Sequence, residues 1–232
     1  MTPALSPEPN APDPLPPLVI FGAGGLGREV LGLLHQLNAA RPTWAVRGFY
    51  DDRAPATPHV AGLPYLGTSA GLLSAAAASA APLAVAVAVG SPAGRAAVVA
   101  RLASPHLSFP ALVHPAVALA PHQRIALRAG CIIQQGCLLT CDITLGRFVL
   151  LNLGCTVGHD AVLDDFCSLM PHANVSGAVH LAAGVYLGAN ATVIQGVRIG
   201  ANTVVGAGAV AVRDLPANVT AVGVPAKAID SH

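Results

Sequence analysis

Residues 145–163 read Leu145-Gly-Arg-Phe-Val-Leu-Leu151-Asn-Leu-Gly-Cys-Thr-Val157-Gly-His-Asp-Ala-Val-Leu163, and the spacing of their aliphatic side chains decides the fold. Leu145, Leu151, Val157 and Leu163 stand six apart. The same step runs back through Leu139 and Ile133 to Leu127, and forward through Leu169, Val175, Leu181, Leu187, Val193 and Ile199 to Val205. Two places before each lies a small or β-branched residue: Ile125, Cys131, Cys137, Ile143, Val149, Cys155, Ala161, Cys167, Ala173, Val179, Val185, Ala191, Val197 and Thr203. The position after the aliphatic is often glycine, as at Gly146, Gly158, Gly188, Gly200 and Gly206. Neither a helix nor an alternating strand has a period of six. A fixed short repeat of this kind predicts a parallel β-helix, in which neighbouring turns supply the core that one turn cannot bury alone.

The whole-chain composition agrees. At 232 residues there is room for two modest domains. Hydrophobic residues make up 53% and aromatics only 4%, so the core must be built from Ala, Val and Leu, as a narrow solenoid requires. A net charge of +1 argues against nucleic acid or a membrane surface as a general partner. The longest weakly apolar stretch, Ala75 to Val89, is broken by Ser79 and Pro82 and falls short of the ~20 residues of a membrane span. No signal peptide is visible. Four of the five cysteines occupy the small inward positions and read as buried free thiols, which suits a reducing cytoplasm. Cys141 lies elsewhere.

Residues 1–17 carry seven prolines and read as a disordered or extended leader. Leu18-Val-Ile-Phe21 reads as a buried strand running into Gly22-Ala-Gly-Gly-Leu-Gly27, then into a helix with Leu26, Val30, Leu33, Leu34 and Leu37 on one face. A glycine-rich strand–turn–helix can cradle a phosphate on its backbone N–H groups; the competing reading is that the glycines serve only a tight turn and close helix packing. A second strand, about Ala45 to Tyr50, ends in Asp51-Asp52, near the spacing at which an acidic side chain meets a ribose. A third, Leu83 to Val89, is closed by Gly90-Ser91 and followed by a helix through Leu102. This order predicts an α/β, Rossmann-like domain over residues 18–110, followed by a β-helix domain with a C-terminal tail over 111–232. No second mononucleotide half follows, which argues against a nicotinamide dehydrogenase.

Chemistry centres on His159. It lies two places beyond an inward aliphatic, near a coil corner rather than in the core. Imidazole titrates near neutrality, and a carboxylate on one ring nitrogen holds the other ready as a base. Two acids compete for that role: Asp160, next in sequence, and Asp142, eighteen residues before Asp160 and therefore stacked one rung away.

Over about residues 113–227 the hexads resemble the left-handed β-helix of hexapeptide-repeat acyltransferases. With the preceding domain they resemble the sialic acid O-acetyltransferase NeuD and amino-sugar N-acetyltransferase family. The stretches that carry the resemblance are Phe21-Gly-Ala-Gly-Gly-Leu-Gly-Arg-Glu-Val30, Val157-Gly-His-Asp160, Gly188-Ala-Asn-Ala-Thr-Val-Ile-Gln-Gly196, Val205-Gly-Ala-Gly-Ala-Val210 and Gly223-Val-Pro-Ala-Lys227. It implies an acetyl-CoA-dependent acetyltransferase without a metal, acting on an amino sugar or nucleotide-linked sugar at nitrogen or oxygen, with sialic acid O-acetylation as the alternative. It also implies a cytoplasmic homotrimer with each site in a cleft between neighbouring β-helices.

By the same resemblance His159 is the general base and Asp160 its partner. Ser168, Ala189 and Ala207 line the coenzyme groove, with Lys227 near a coenzyme phosphate. Gly24, Gly25, Leu26, Asp51, Asp52 and Gly90 hold the nucleotide part of the acceptor. Two positions depart from the pattern, Ser168 and Leu26 standing where relatives commonly carry histidine. Two other classes compete: a carbonic-anhydrase-like metalloprotein, disfavoured because Asp164 stands five residues after His159 where a ligand histidine belongs, and a catalytically idle sugar-nucleotide-binding scaffold.

Overall fold

The computed structural model describes residues 15–231. The expected leader therefore lies outside the described residues up to Pro14, and Pro17 already opens the first strand.

The first domain runs β1 (Pro17–Phe21), α1 (Gly25–Ala40), β2 (Ala45–Tyr50), β3 (His59–Val60), β4 (Leu63–Gly67), α2 (Ser69–Ala77), β5 (Leu83–Val87), α3 (Pro92–Arg101) and β6 (Leu107–Ser108). The sheet order is β3-β4-β2-β1-β5-β6, parallel except for the β3–β4 hairpin. Leu18 to Phe21 are buried throughout, as a central parallel strand covered on both faces must be. The helical periodicity puts Val30, Leu33 and Leu34 against the sheet. At the start of α3 the Ser91 hydroxyl accepts a hydrogen bond from the Gly94 N–H at 3.3 Å, and Pro92 occupies the first turn, where no N–H is needed. Because β2 and β5 flank β1 on opposite sides, the loops after β1 and β5 diverge at the sheet's switch point. Open α/β sheets bind ligands there.

From Leu112 onward the hexad expectation holds. Two-residue strands stack with an eighteen-residue repeat, for example Leu139 on Val157 on Val175 on Val193 on Ala211. They form the three walls of a left-handed prism. The docked wall carries Leu112–Val113, Ile132–Ile133, Leu150–Leu151, Ser168–Leu169, Tyr186–Leu187 and Val204–Val205. The second carries Leu138–Leu139 to Val210–Ala211, and the third Ala126–Leu127 to Arg198–Ile199. Every hexad aliphatic from Ile133 to Val205 is buried, and so is every residue two places before it. Cys131, Cys137, Cys155 and Cys167 belong to this column as free thiols.

The corners have their own rule. The residue three places after each aliphatic has positive φ, whether it is glycine (Gly154, Gly184) or not (Asp142, Phe148, Asp160, Phe166, His172). The glycines one place after the aliphatic answer a different need. A Cβ on Gly158 would stand 2.6 Å from the Gly177 nitrogen, and one on Gly188 2.5 Å from that of Ala207. Only glycine admits so close a backbone from the next turn.

At the far end the repeat shortens: Leu215 bridges to Ile199, and the antiparallel pair Val219–Val222 and Lys227–Ser231 closes the docked wall. That wall buries Leu112, Ile132 and Leu150 against α1. At its border with the third wall, Phe109, Phe148 and Phe166 form a run of rings with centroids 5.2 and 5.4 Å apart.

Candidate active site and nucleotide loop

His159 stands on the prism edge between the second and third walls, with half of its side chain exposed. The next residue, Asp160, has φ +59°, a left-handed corner that aspartate tolerates. That turn brings its Oδ2 to 2.8 Å from His159 Nδ1. Nε2 makes no hydrogen bond among the described residues and faces away from the pair. The ring lies over Gly177 on the next rung: a Cβ there would stand 2.5 Å from both Cε1 and Nε2. The Gly177 N–H donates to no acceptor among the described residues, whereas its carbonyl accepts from Gly196. One edge thus places together an imidazole with one nitrogen held by a carboxylate and a backbone N–H on the adjacent rung.

The neighbouring rung resolves the competition between the acids. Asp142 lies directly below Asp160 but gives both carboxylate oxygens to Arg124, another rung down. Arg124 holds the Asp142 carboxyl below its usual range. Asp142 is therefore committed to the guanidinium, and Asp160 is the partner of His159. Cys141 occupies the rung beneath His159, at the same corner position. Burial and the adjacent Asp142 push its thiol up, which keeps it protonated and a poor nucleophile.

Ala189 and Ala207 stack one rung apart on a different edge, between the docked and second walls. Within one chain they do not meet His159. His172 shares that edge, its ring lying over Gly154, and His180 sits on the third wall with Asp164 Oδ2 2.9 Å from its Nε2. Among the described residues no three His, Cys, Asp or Glu side chains form a group able to hold a metal ion.

At the sheet's switch point the glycine run divides in two. A Cβ on Gly22 would lie 2.4 Å from the Ala88 carbonyl oxygen, and one on Gly27 1.9 Å from that of Gly22. These two serve packing. A Cβ on Gly24 or Gly25 would meet nothing within 4 Å; both glycines are exposed and neither has positive φ. Packing does not demand them, so the competing reading covers only half the motif. Leu26 reaches Gly90, with 3.9 Å between its Cδ2 and a Cβ placed on that glycine.

The two aspartates are already engaged. Asp51 accepts from the Ala23 and Arg53 N–H groups at 2.8 and 2.9 Å. Asp52 accepts from Ser69 N–H and pairs with Arg101, interactions that outweigh burial and hold its carboxyl below the usual range. Asp51 thus braces the glycine loop, while Asp52 ties the end of β2 to α2 and α3. Beyond Gly90 a cleft of about 560 Å³ opens between the start of α3 and the docked wall, lined by Ser91, Pro92, Gly184, Tyr186, Asn202 and Val204 among others.

Ser168 is a correction. The resemblance places it in the coenzyme groove, but it is fully buried on the docked wall. Its hydroxyl donates to the Gly90 carbonyl at 2.9 Å and accepts from Arg95 Nη2 at 2.9 Å, so it cannot touch a ligand lying along the solenoid. Arg95 itself escaped the sequence reading. The one signal was its phase on α3, where it shares a face with Val98, Val99 and Leu102.

Residues 17–102 match the family described as the PglD N-terminal domain. The structure is similar to that of the perosamine N-acetyltransferase PerB from Caulobacter crescentus in complex with CoA and GDP-perosamine, at 32% identity and a TM-score of 0.81, covering 92% of this chain and 97% of that one. It is similar also to the acetyltransferase domain of PglB from Neisseria gonorrhoeae FA1090 in complex with acetyl coenzyme A (29% identity, 93% and 100% covered, TM-score 0.80). WeeI from Acinetobacter baumannii AYE is a third (26%, 91% and 99% covered, TM-score 0.80). Among curated proteins, a serine acetyltransferase from Synechococcus elongatus is 32% identical over 92 residues, a match that spans 36% of this chain and 38% of that protein's length.

Proposed function

Because the chain belongs to the hexapeptide-repeat sugar acetyltransferases, we propose that it transfers an acetyl group from acetyl-CoA to an amino or hydroxyl group of a nucleotide-linked sugar, with His159 as general base. The observation that carries the reading is the His159–Asp160 pair on an open prism edge. Asp160 on Nδ1 fixes the tautomer that leaves Nε2 free to take a proton. As the sugar nucleophile attacks the thioester carbonyl, Nε2 accepts its proton and a tetrahedral oxyanion forms. The Gly177 N–H on the adjacent rung is placed to receive that charge. Collapse breaks the C–S bond, and the imidazolium returns the proton to the departing thiolate. No acyl-enzyme is needed.

The acceptor's nucleotide lies at Gly24, Gly25, Leu26 and Gly90, where open glycine backbone meets the start of a helix. The cleft beyond Gly90 falls within the range of small-molecule sites. Binding to similar proteins supports both ligands: PerB holds CoA and GDP-perosamine, and the PglB domain holds acetyl coenzyme A. Ala189 and Ala207 line the coenzyme groove on an edge that His159 does not share, so the two meet only if a second prism lies alongside. Two walls that no other described element covers, with Leu138 two-thirds exposed on one of them, support a homotrimer with the site between subunits. No described helix is long and apolar enough to cross a membrane.

The test is acetyl-CoA turnover, followed as free thiol, with GDP- and UDP-linked amino sugars and with free and CMP-linked sialic acid. An amino-sugar nucleotide should support turnover, and His159→Ala should lower it at least ~10²-fold while the melting temperature holds. Near-normal turnover in His159→Ala would retire the mechanism, and turnover with sialic acid alone would favour O-acetylation.

A further inference from the structure

Arg95 is 1% exposed, and among the described residues no carboxylate is its partner. Nε donates to the Phe148 carbonyl at 2.9 Å. Nη1 donates to Val89 and Gly90 at 2.7 and 3.2 Å, and Nη2 to the Phe166 and Cys167 carbonyls and the Ser168 hydroxyl at 2.9, 3.1 and 2.9 Å. Burial lowers the guanidinium only to about 10, so it remains charged at neutral pH. A buried cation held by five carbonyls and one hydroxyl, with no counter-charge, is an expensive way to join two domains, and an apolar contact would serve stability as well. What it adds is direction. Its six hydrogen bonds tie the loop after β5 to two successive rungs of the prism, and the Gly90 carbonyl is gripped twice, by Nη1 and by Ser168 Oγ.

The geometry points to Arg95 as a positioning residue that, with Ser168, sets the Gly90 edge of the nucleotide loop against the solenoid and so governs how tightly the acceptor's nucleoside diphosphate is held. This rests on the proposed function: its binding arm on the nucleotide site at the glycine loop, and its kinetic arm on acetyl transfer as well. The rungs Arg95 grips, at Phe148 and Phe166–Cys167, bracket His159 in the chain, so the clamp fixes the loop relative to the same turns that carry the imidazole. It touches neither substrate. Its effect reaches the acceptor through Gly90 and through Leu26, which packs on Gly90.

The experiment compares Arg95→Lys, Ser168→Ala and Leu102→Ala with the wild type. Lysine keeps the charge but offers three donors where arginine uses six bonds. Alanine at 168 removes one of the two grips on Gly90. Leu102 is fully buried at the end of α3 and makes none of the clamp's hydrogen bonds, so its truncation reports the loss of packing beside the clamp with every grip on Gly90 kept. All are assayed below their melting temperatures, by calorimetric binding of GDP and UDP and by steady-state kinetics. The proposal expects Arg95→Lys to weaken nucleoside diphosphate binding and raise the acceptor KM by roughly tenfold or more, the scale of lost charge-assisted hydrogen bonds. Ser168→Ala should move both the same way by less. In both variants kcat and the acetyl-CoA KM should stay within about twofold, and Leu102→Ala should lower only the melting temperature. Equal changes in both KM values, or a loss matched by Leu102→Ala at equal stability, would make Arg95 a strut and overturn the proposal. A wild type that binds GDP or UDP without turnover sinks the acetyltransferase reading but leaves the binding arm decisive. A wild type that binds neither nucleotide overturns the clamp's role.

Discussion

Gly177→Ala isolates the position of the His159 ring from its chemistry. Gly177 has no left-handed φ, so alanine is admissible to the backbone, and the three atoms its methyl group would meet first all belong to the imidazole. The new Cβ would stand 2.5 Å from Cε1 and Nε2 and 3.0 Å from Cδ2. Ordinary carbon contacts begin near 3.5 Å, so the ring must retreat by about 1 Å. Half-exposed, it can swing outward without disturbing the core, and the melting temperature should fall by no more than a few degrees. A displacement of that size costs on the order of 10²-fold in turnover, or about 2.7 kcal/mol of barrier. Thiol release at saturating acetyl-CoA and acceptor should show the loss in kcat rather than in either KM. The decisive arm is the double variant: in a His159→Ala background the same methyl group should change nothing further, because the ring it displaces is gone. Turnover within twofold of wild type for Gly177→Ala, or an undiminished effect in the His159→Ala background, would refute the placement of the base.

Asp160→Asn keeps the shape of the pair but removes the charge that supports the imidazolium, and should cost roughly tenfold or more in kcat with the fold intact. Cys141→Ala, one rung below the base, should leave turnover within about twofold, and intact mass under turnover should show no acetylated protein; an adduct on the wild type would replace direct transfer with a thiol relay. The glycine run should split. Gly27→Ala, whose Cβ meets a carbonyl oxygen at 1.9 Å, should yield little folded protein, while Gly24→Ala and Gly25→Ala should fold normally and bind GDP or UDP more weakly. Leu163→Ala, fully buried in the prism, should lower stability by about 2–5 kcal/mol in chemical denaturation.

The prism was legible because a six-residue step has one structural meaning. Once Leu127 to Val205 were in register, wall, rung and inward side chain followed for every position between. The pairing of His159 with Asp160 was legible only as one of two options, since Asp142 has equal claim by rung arithmetic. What excludes it is Arg124, a residue whose partner the repeat does not announce. In the first domain β1 stood out as a short apolar run, α1 by its one apolar face, and both by the glycines between them. The β3–β4 hairpin did not, because its two positive-φ turn residues are Ala61 and Gly62 rather than an Asn-Gly or Asp-Gly pair. Nor did α2, a run of alanines with little periodicity. Ser168 was misread for a physical reason. The resemblance assigns it to the coenzyme groove, whereas the docked domain covers this wall and turns the face that carries Ser168 into an interior.

The eighteen-residue turn also sets which changes in length the chain can survive. Removing one hexad between Val175 and Val193 would rotate everything after it by a third of a revolution, carrying Ala189 and Ala207 to another edge and unpairing the terminal hairpin from its wall. Removing a whole turn would leave each column aligned and shorten the rod by about 4.8 Å. Related proteins should therefore differ in rod length by complete revolutions, with odd hexads confined to loops that leave the stack.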